Sequence, residues 1–170
     1  MSIDSAQFRQ VLGHFPTGVT VITATNPAHS PHAGPVGFTI GSFVSVSLDP
    51  PLVGFLPMVT SDRWHAIEAA GTFCVNVLGA DQGDLCWRFA KSSIDQPFEG
   101  VSYRPSPETG SPLLDGVIAW IDCEISEIVD AGDHKFVMGR VLALGAAEAD
   151  TDPNPLLFFK GSVGGFQRNG

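Results

Sequence analysis

Residues 10–48 contain no Asp, Glu, Lys or Arg, and Asp49 is the only charged side chain between Arg9 and Asp62. An uncharged run of that length first suggests a membrane span, which takes about 20 mostly apolar residues in a row. Pro16, Pro27, Pro31 and Pro35, several glycines and many Ser and Thr residues break it up, so no such stretch exists. The run instead supports short extended segments. Residues 17–25 (TGVTVITAT) are β-branched and alternating, the signature of a strand. Residues 36–40 and 42–48 follow as two more. Asp49-Pro50-Pro51 then turns the chain into a fourth at 52–56.

The rest of the chain continues this pattern with a few short helices. Asp4 caps a helix carrying Phe8, Val11 and Leu12 on one face. Ser61 caps a helix over 62–70 that Gly71 ends, and Asp81 caps a third running through Phe89. Between them, residues 72–78 (TFCVNVL) form a strand. Residues 91–112 hold four prolines and read as an irregular segment wrapping the outside. Over 117–128 Ala119, Ile121, Cys123 and Ile125 face inward, while Trp120, Asp122, Glu124 and Ser126 face outward. Residues 131–134 turn, and 135–144 return as an antiparallel partner. A polar turn at 150–155, a last strand at 155–159 and a glycine-rich tail at 161–165 complete the chain. The expected fold is mainly β, an antiparallel β-barrel or sandwich with a few short helices, in one domain over 1–170. A parallel α/β sheet needs helices between most strands, and these are missing. Neither GxGxxG nor a P-loop pattern occurs.

Composition narrows the function classes. With 44% hydrophobic and 16% charged residues, the chain is globular rather than disordered. Acids outnumber bases 18 to 9, for a net charge of -9. That excess argues against nucleic acid and against anionic membranes as partners. Twelve of the 18 acids lie from Asp95 to Asp152, away from the uncharged run. The N-terminus Met1-Ser2-Ile3-Asp4 shows no basic region followed by an apolar run, so no signal peptide is expected. Cys74, Cys86 and Cys123 are odd in number, form no CxxC and sit among apolar residues, which suits packed thiols in the reducing cytoplasm.

Three segments carry candidate site residues, each with an ordinary alternative. Gly37-Phe38-Thr39-Ile40-Gly41-Ser42-Phe43 mixes neutral donors and acceptors with glycines that let a ligand approach the backbone. A strand with a glycine bend reads the same way. In Val59-Thr60-Ser61-Asp62-Arg63-Trp64, two hydroxyls and a scarce arginine precede free helix amides, the makings of a phosphate cradle or of a plain N-cap. Gly132-Asp133-His134 places an imidazole in a turn between strong strands, where it presents itself at a barrel mouth or simply to solvent. His29 and His32 form HxxH in a proline-rich loop without acidic or thiol companions, so no metal site is expected. Asp49 suits a turn cap better than catalysis.

A longer pattern joins these pieces. It runs through Phe8-Arg9, Phe15-Pro16-Thr17-Gly18-Val19-Thr20-Val21-Ile22-Thr23, Gly37-Phe38-Thr39, Ser42-Phe43 and Ser45-Val46-Ser47-Leu48-Asp49-Pro50-Pro51-Leu52-Val53. It continues through Phe73-Cys74-Val75-Asn76-Val77-Leu78, Gln82, Phe89-Ala90, Pro112-Leu113-Leu114 and Gly132-Asp133-His134. In this order and spacing the chain resembles, over nearly its whole length, the short-chain flavin reductases of two-component monooxygenase systems. The SxSLDPPLV stretch and the GDH turn are its most specific parts.

The resemblance implies an FMN-binding split barrel, usually a homodimer. It implies that NADH or NADPH reduces FMN or FAD, and that reduced flavin diffuses to a separate flavin-dependent monooxygenase. By position, Thr39, Ile40, Gly41 and Ser42 would line the ribityl chain and ring, and Ser47, Leu48, Asp49 and Pro50 would offer backbone groups to the isoalloxazine. Ser61, Arg63 and Trp64, with Thr60 beside them, match the phosphate segment. Phe89 and Ala90 flank the flavin, and His134 meets the nicotinamide nucleotide. Hydride transfer between stacked rings needs positioning more than acid–base groups. Two departures stand out: Val163 replaces a frequent tyrosine, with Phe166 as its substitute, and Asp62 lies inside the phosphate segment. Lys135 and Arg140 are the bases available to a 2′-phosphate, and the balance favours NADH. A flavin- or haem-binding carrier without reductase activity, or a flavoprotein served by a deazaflavin, are the competing readings. Trp64, Trp87 and Trp120 are candidate interface aromatics.

Overall fold

A computed structural model of the protein describes residues 3–27, 33–147 and 153–168. In chain order the elements are α1 (Ser5–Leu12), β1 (Thr17–Gly18), β2 (Thr20–Asn26), β3 (Gly34–Ile40), β4 (Val44–Leu48) and β5 (Pro51–Phe55). Then come α2 (Asp62–Ala70), β6 (Thr72–Val77), α3 (Gly83–Ala90), β7 (Tyr103–Pro105) and β8 (Pro112–Leu114). Last are β9 (Ala119–Ala131), β10 (His134–Ala146), β11 (Leu156–Phe159) and β12 (Ser162–Gly165).

Helix ends follow local chemistry at two of three sites. The Asp4 carboxylate accepts from the amides of Ala6 and Gln7, both at 3.3 Å. Ser61 Oγ accepts from Trp64 N at 3.3 Å, and Gly71 closes α2 in the left-handed region at φ 70°. At α3 the expectation fails. Gln82, not Asp81, is the N-cap residue, and no side chain caps the helix. Gln82 serves the neighbouring loops instead: its Oε1 accepts from Gly79 N at 3.0 Å and its Nε2 donates to Asp115 O at 2.9 Å.

Seven strands form one antiparallel sheet in the order β3-β2-β6-β9-β10-β5-β4. Laid flat, six inter-strand gaps would separate its two edges by about 29 Å. Yet β3 ends at Ile40 and β4 begins at Val44, and that short link reaches at most about 15 Å. The sheet must therefore curl on itself, bringing the end of β3 toward the start of β4 while both remain unpaired edges. Ser42 fastens the link, its Oγ accepting from Leu56 N at 3.0 Å.

The curl encloses Ile22, Phe38, Phe55, Trp64, Ile67, Phe73, Val75 and Val137. Phe55 is the hub, with Phe73 and Trp64 edge-on to it at 5.1 and 6.1 Å. A second cluster, with Val19, Val21, Leu78, Cys86, Phe89, Leu114 and Leu156, fills the space outside β2. β2 is thus buried on both faces, which explains its nearly unbroken apolar and β-branched character.

The outer layer corrects several sequence expectations. Asp122, expected to face outward to solvent, is fully buried. Its carboxylate accepts from Glu108 N and Thr109 N at 2.9 and 3.1 Å and from the Thr109 hydroxyl at 2.6 Å. The loop that covers it belongs to the β7–β8 hairpin, inside the stretch expected to be irregular. Trp64 is buried too and is no interface aromatic. The glycine-rich tail pairs as β12 against β11, which pairs in turn with β1. Much of the expected 150–155 turn lies outside the described residues. α1 buries none of its side chains, and Phe8, Val11 and Leu12 are exposed.

Candidate functional site

An open groove of about 1210 Å3 lies at the N-terminal end of α2. Val36, Phe38, Thr39 and Ile40 of β3 line one side. Pro57, Thr60, Ser61, Asp62 and Arg63 line a second, and Ala90 with residues 92, 94–99 a third. His134 completes the lining. These residues come from distant parts of the sequence, and hydrogen bonds bring them together.

The β9–β10 hairpin tip is stitched to the segment entering α2. Lys135 N donates to Pro57 O at 3.0 Å and Val59 N donates to Asp133 O at 3.1 Å. Gly132 makes this tip possible by taking φ 69°, a region costly for other residues. His134 and Ser61 thus share one groove. His134 Nδ1 lies 2.7 Å from Asp133 Oδ1, and the hydrogen bond from His134 holds the Asp133 carboxyl below its ordinary range.

At α2 the Ser61 hydroxyl proton is left for a ligand, because its oxygen accepts from Trp64 N. The first amides of a helix have no carbonyl one turn earlier to meet, and these open beside Thr60 and Ser61. Thr39 Oγ1 donates to Cys86 O at 2.7 Å, tying β3 to α3 while leaving lone pairs free.

Arg63 behaves differently from the sequence expectation of a phosphate ligand. Its Nη1 donates to Phe89 O at 2.9 Å and Gly37 O at 3.5 Å; its Nη2 donates to Lys91 O at 3.2 Å and Ile94 O at 2.5 Å. Among the described residues no carboxylate is within ion-pair distance of it. Burial lowers its pKa from the ordinary value, and Asp95 acts in the opposite direction. Arg63 is therefore the fastener of the strap formed by residues 91–99, which walls the groove. Arg88 assists, with Nε donating to Pro97 O at 2.7 Å and Nη2 to Glu99 O. Phe98 packs edge-on to Phe89 at 4.9 Å.

The structure gathers Thr39, Ile40, Thr60, Ser61, Arg63, Phe89, Ala90 and His134 along the groove. Phe89 is a buried support rather than an open contact surface. Trp64, fully buried, is out of reach of any ligand, a correction to its expected place in the phosphate segment. Gly41 and Ser42 lie just beyond the lining. Ser47, Leu48, Asp49 and Pro50 form the exposed tip of the β4–β5 hairpin, and Leu48 is 92% exposed. Phe166 is exposed as well, its N–H donating to Asn154 Oδ1 at 2.7 Å. None of these seven lines the groove within one chain. The irregular course of residues 91–99 agrees with the sequence reading, whereas their role as a groove wall is marked by nothing in the sequence.

The groove rim is acidic, with Asp62, Asp95 and Glu99 in its lining. The three thiols are free and buried. Burial, then the Asp122 charge, pushes Cys74 up to about 12, and burial raises Cys86 and Cys123 as well. They are packed groups and not nucleophiles. His29 and His32 lie outside the described residues. Among the described residues, no three His, Cys, Asp or Glu side chains gather as metal ligands, and no helix is long and apolar enough to cross a membrane.

Known proteins share this architecture and its sequence. A flavin reductase of Pseudomonas putida is 47% identical over 97% of this chain and 92% of its own. The structure of nitrilotriacetate monooxygenase component B from Mycobacterium thermoresistibile superposes with TM-score 0.88 at 44% identity, covering 96% of this chain and 87% of that one. The NADH:FAD oxidoreductase SgcE6 of Streptomyces globisporus C-1027, solved with NAD and FAD fragments, gives TM-score 0.84 at 35% identity, covering 98% and 93%. The curled antiparallel sheet is the split barrel of these flavin reductases. The family model for the flavin reductase like domain matches residues 12–167, and the chain belongs to that family.

Proposed function

We propose that this protein is an NAD(P)H-dependent flavin reductase. It passes a hydride from NADH to FMN or FAD, and the reduced flavin diffuses to a separate flavin-dependent monooxygenase. One observation carries this reading: a single groove joins the hydroxyls and open amides at the start of α2 to an apolar β3 wall and to His134. The relatives supply the chemistry by their names, as a flavin reductase, a monooxygenase component and an NADH:FAD oxidoreductase.

The groove fits such ligands. Its 1210 Å3 exceeds the ~300–1,000 Å3 of ordinary small-molecule pockets, leaving room for two ring systems. Bound flavin supplies the ring that takes up the hydride. Thr60, Ser61 and the first amides of α2 hold its phosphate. Thr39 and Ile40 face its ribityl chain, and His134 meets the nicotinamide nucleotide. The chain's own contribution is orientation, the largest lever in hydride transfer.

The protein works as a homodimer of single-domain chains. Val44, Val46 and Leu48 expose an apolar row along edge strand β4, and Ser47, Asp49, Pro50 and Phe166 are stranded outside the groove of their own chain. A second copy covers that edge and brings such residues to a site. Free, buried thiols suit a cytoplasmic location.

The decisive experiment mixes purified protein with NADH or NADPH and with FMN, FAD or riboflavin. Loss of NADH absorbance with a flavin present is expected. No consumption in any combination would overturn the proposal.

A further inference from the structure

We infer that Asp133 is a positioning residue whose carboxylate fixes the tautomer of His134, so that an unprotonated Nε2 is the nitrogen offered to the nicotinamide nucleotide. This rests on the proposed reductase function and adds a recognition chemistry to it.

The argument starts from donor and acceptor roles. His134 Nδ1 and Asp133 Oδ1 are 2.7 Å apart. An ionised carboxylate only accepts, so Nδ1 must carry the proton in this pair. In the neutral ring the other nitrogen, Nε2, then has a lone pair and no hydrogen. The backbone enforces the pairing. Asp133 O accepts from Val59 N, and Lys135 N donates to Pro57 O, which anchors both residues flanking the imidazole. Lys135 does not compete for Asp133, because its ammonium is taken by Asp130. His134 lines the groove whereas Asp133 stays 83% exposed outside it. The two therefore divide the work: one carboxylate on the solvent side, one free nitrogen for the ligand.

An unprotonated Nε2 accepts an N–H and cannot donate to a phosphate oxygen. The nucleotide group it recognises is a carboxamide or amino N–H, not the pyrophosphate.

The test uses the whole protein with 15N-labelled histidine, at a pH where the imidazole is neutral, together with steady-state kinetics. The ring-nitrogen shifts of His134 are expected to show Nδ1 protonated and Nε2 bare. Asp133→Ala should move His134 toward the Nε2–H form and raise KM for NADH roughly fivefold, the size of an exposed charge-pair effect, with kcat and FMN affinity nearly unchanged. Asp133→Glu keeps an acceptor-only carboxylate and should recover much of both the tautomer and KM, whereas Asp133→Asn, whose amide can donate to Nδ1, should behave like Asp133→Ala. A parent His134 in the Nε2–H form, or an Asp133→Ala variant with an unmoved tautomer and KM, would overturn the inference. His134→Ala separates this from the underlying function. If it raises KM for NADH while Asp133→Ala does not, the positioning role fails alone. If His134→Ala leaves KM unmoved, the assignment of His134 to the nucleotide fails first.

Discussion

Replacing Arg63 with alanine should loosen the strap before it affects anything else. Three of its four contacts, to Phe89 O, Lys91 O and Ile94 O, are at 3.2 Å or less, and the fourth, to Gly37 O, is at 3.5 Å. At a net value of about 1 kcal/mol per sound hydrogen bond, the loss is about 3 kcal/mol. The Lys91 contact is exposed and the other two only part-buried, which trims this to about 2 kcal/mol. For a chain of 170 residues, that lowers Tm by about 4–8 °C. Arg63→Lys keeps the charge but not the fork that reaches four carbonyls, so it should recover only part of the loss. Calorimetry reads the stability, and amide exchange over residues 91–99 reads the local release. A second measurement asks what the guanidinium serves. FMN differs from riboflavin by its phosphate, and if Arg63 binds carbonyls rather than phosphate, Arg63→Ala weakens both flavins alike. Unchanged exchange in 91–99 together with a selective loss of FMN would refute the reasoning and restore Arg63 as a phosphate ligand.

Other outcomes follow from the same structure. A Cβ at Gly139 would sit 2.3 Å from Phe73 Cζ and 3.2 Å from Cys123 Cβ, so Gly139→Ala should destabilise by about 1–3 kcal/mol in urea unfolding. Asp122→Ala strands two amides and a hydroxyl of the covering loop and should cost about 2–4 kcal/mol by the same measurement. The Asp130 and Asp133 carboxyls lie below their ordinary value of 3.8, mainly through hydrogen bonds from Lys135 and His134. Groups depressed in the folded state stabilise above the unfolded value, so the hairpin tip should weaken only as pH falls below about 3.8, seen as faster amide exchange at residues 130–135. Asp62, Asp95 and Glu99 repel anionic nucleotides. Raising ionic strength from a low starting value should therefore increase kcat/KM for NADH, and Asp95→Asn with Glu99→Gln should blunt that response.

The parts of this molecule legible in its sequence are those decided by neighbours in the chain. Ser61 and Gly71 bound α2 as expected because cap chemistry acts within one turn. The β9–β10 hairpin followed from alternation on either side of a glycine turn. Asp122 misled because alternation reports one covered face, and here the β7–β8 hairpin covers the other. Arg63 misled for a different reason. A base beside a helix start suggests an anion, while its actual partners are carbonyls that every residue carries and no sequence advertises. The separation of Ser47, Leu48, Asp49, Pro50 and Phe166 from the groove was equally hidden, since it depends on how far one chain can wrap.

The way the strap is held also bears on how such a groove can diversify. Arg63 and Arg88 grip residues 91–99 through main-chain oxygens, so the grip does not depend on which side chains the strap carries. Ser92, Asp95 and Gln96 face the groove without securing it. Drift at these positions can reshape the ligand-facing wall while its anchorage persists. Selection for a new flavin or nucleotide preference can therefore explore the strap at little structural risk, whereas Arg63, 28 residues before the strap, and Arg88, just ahead of it, are the positions it must leave alone.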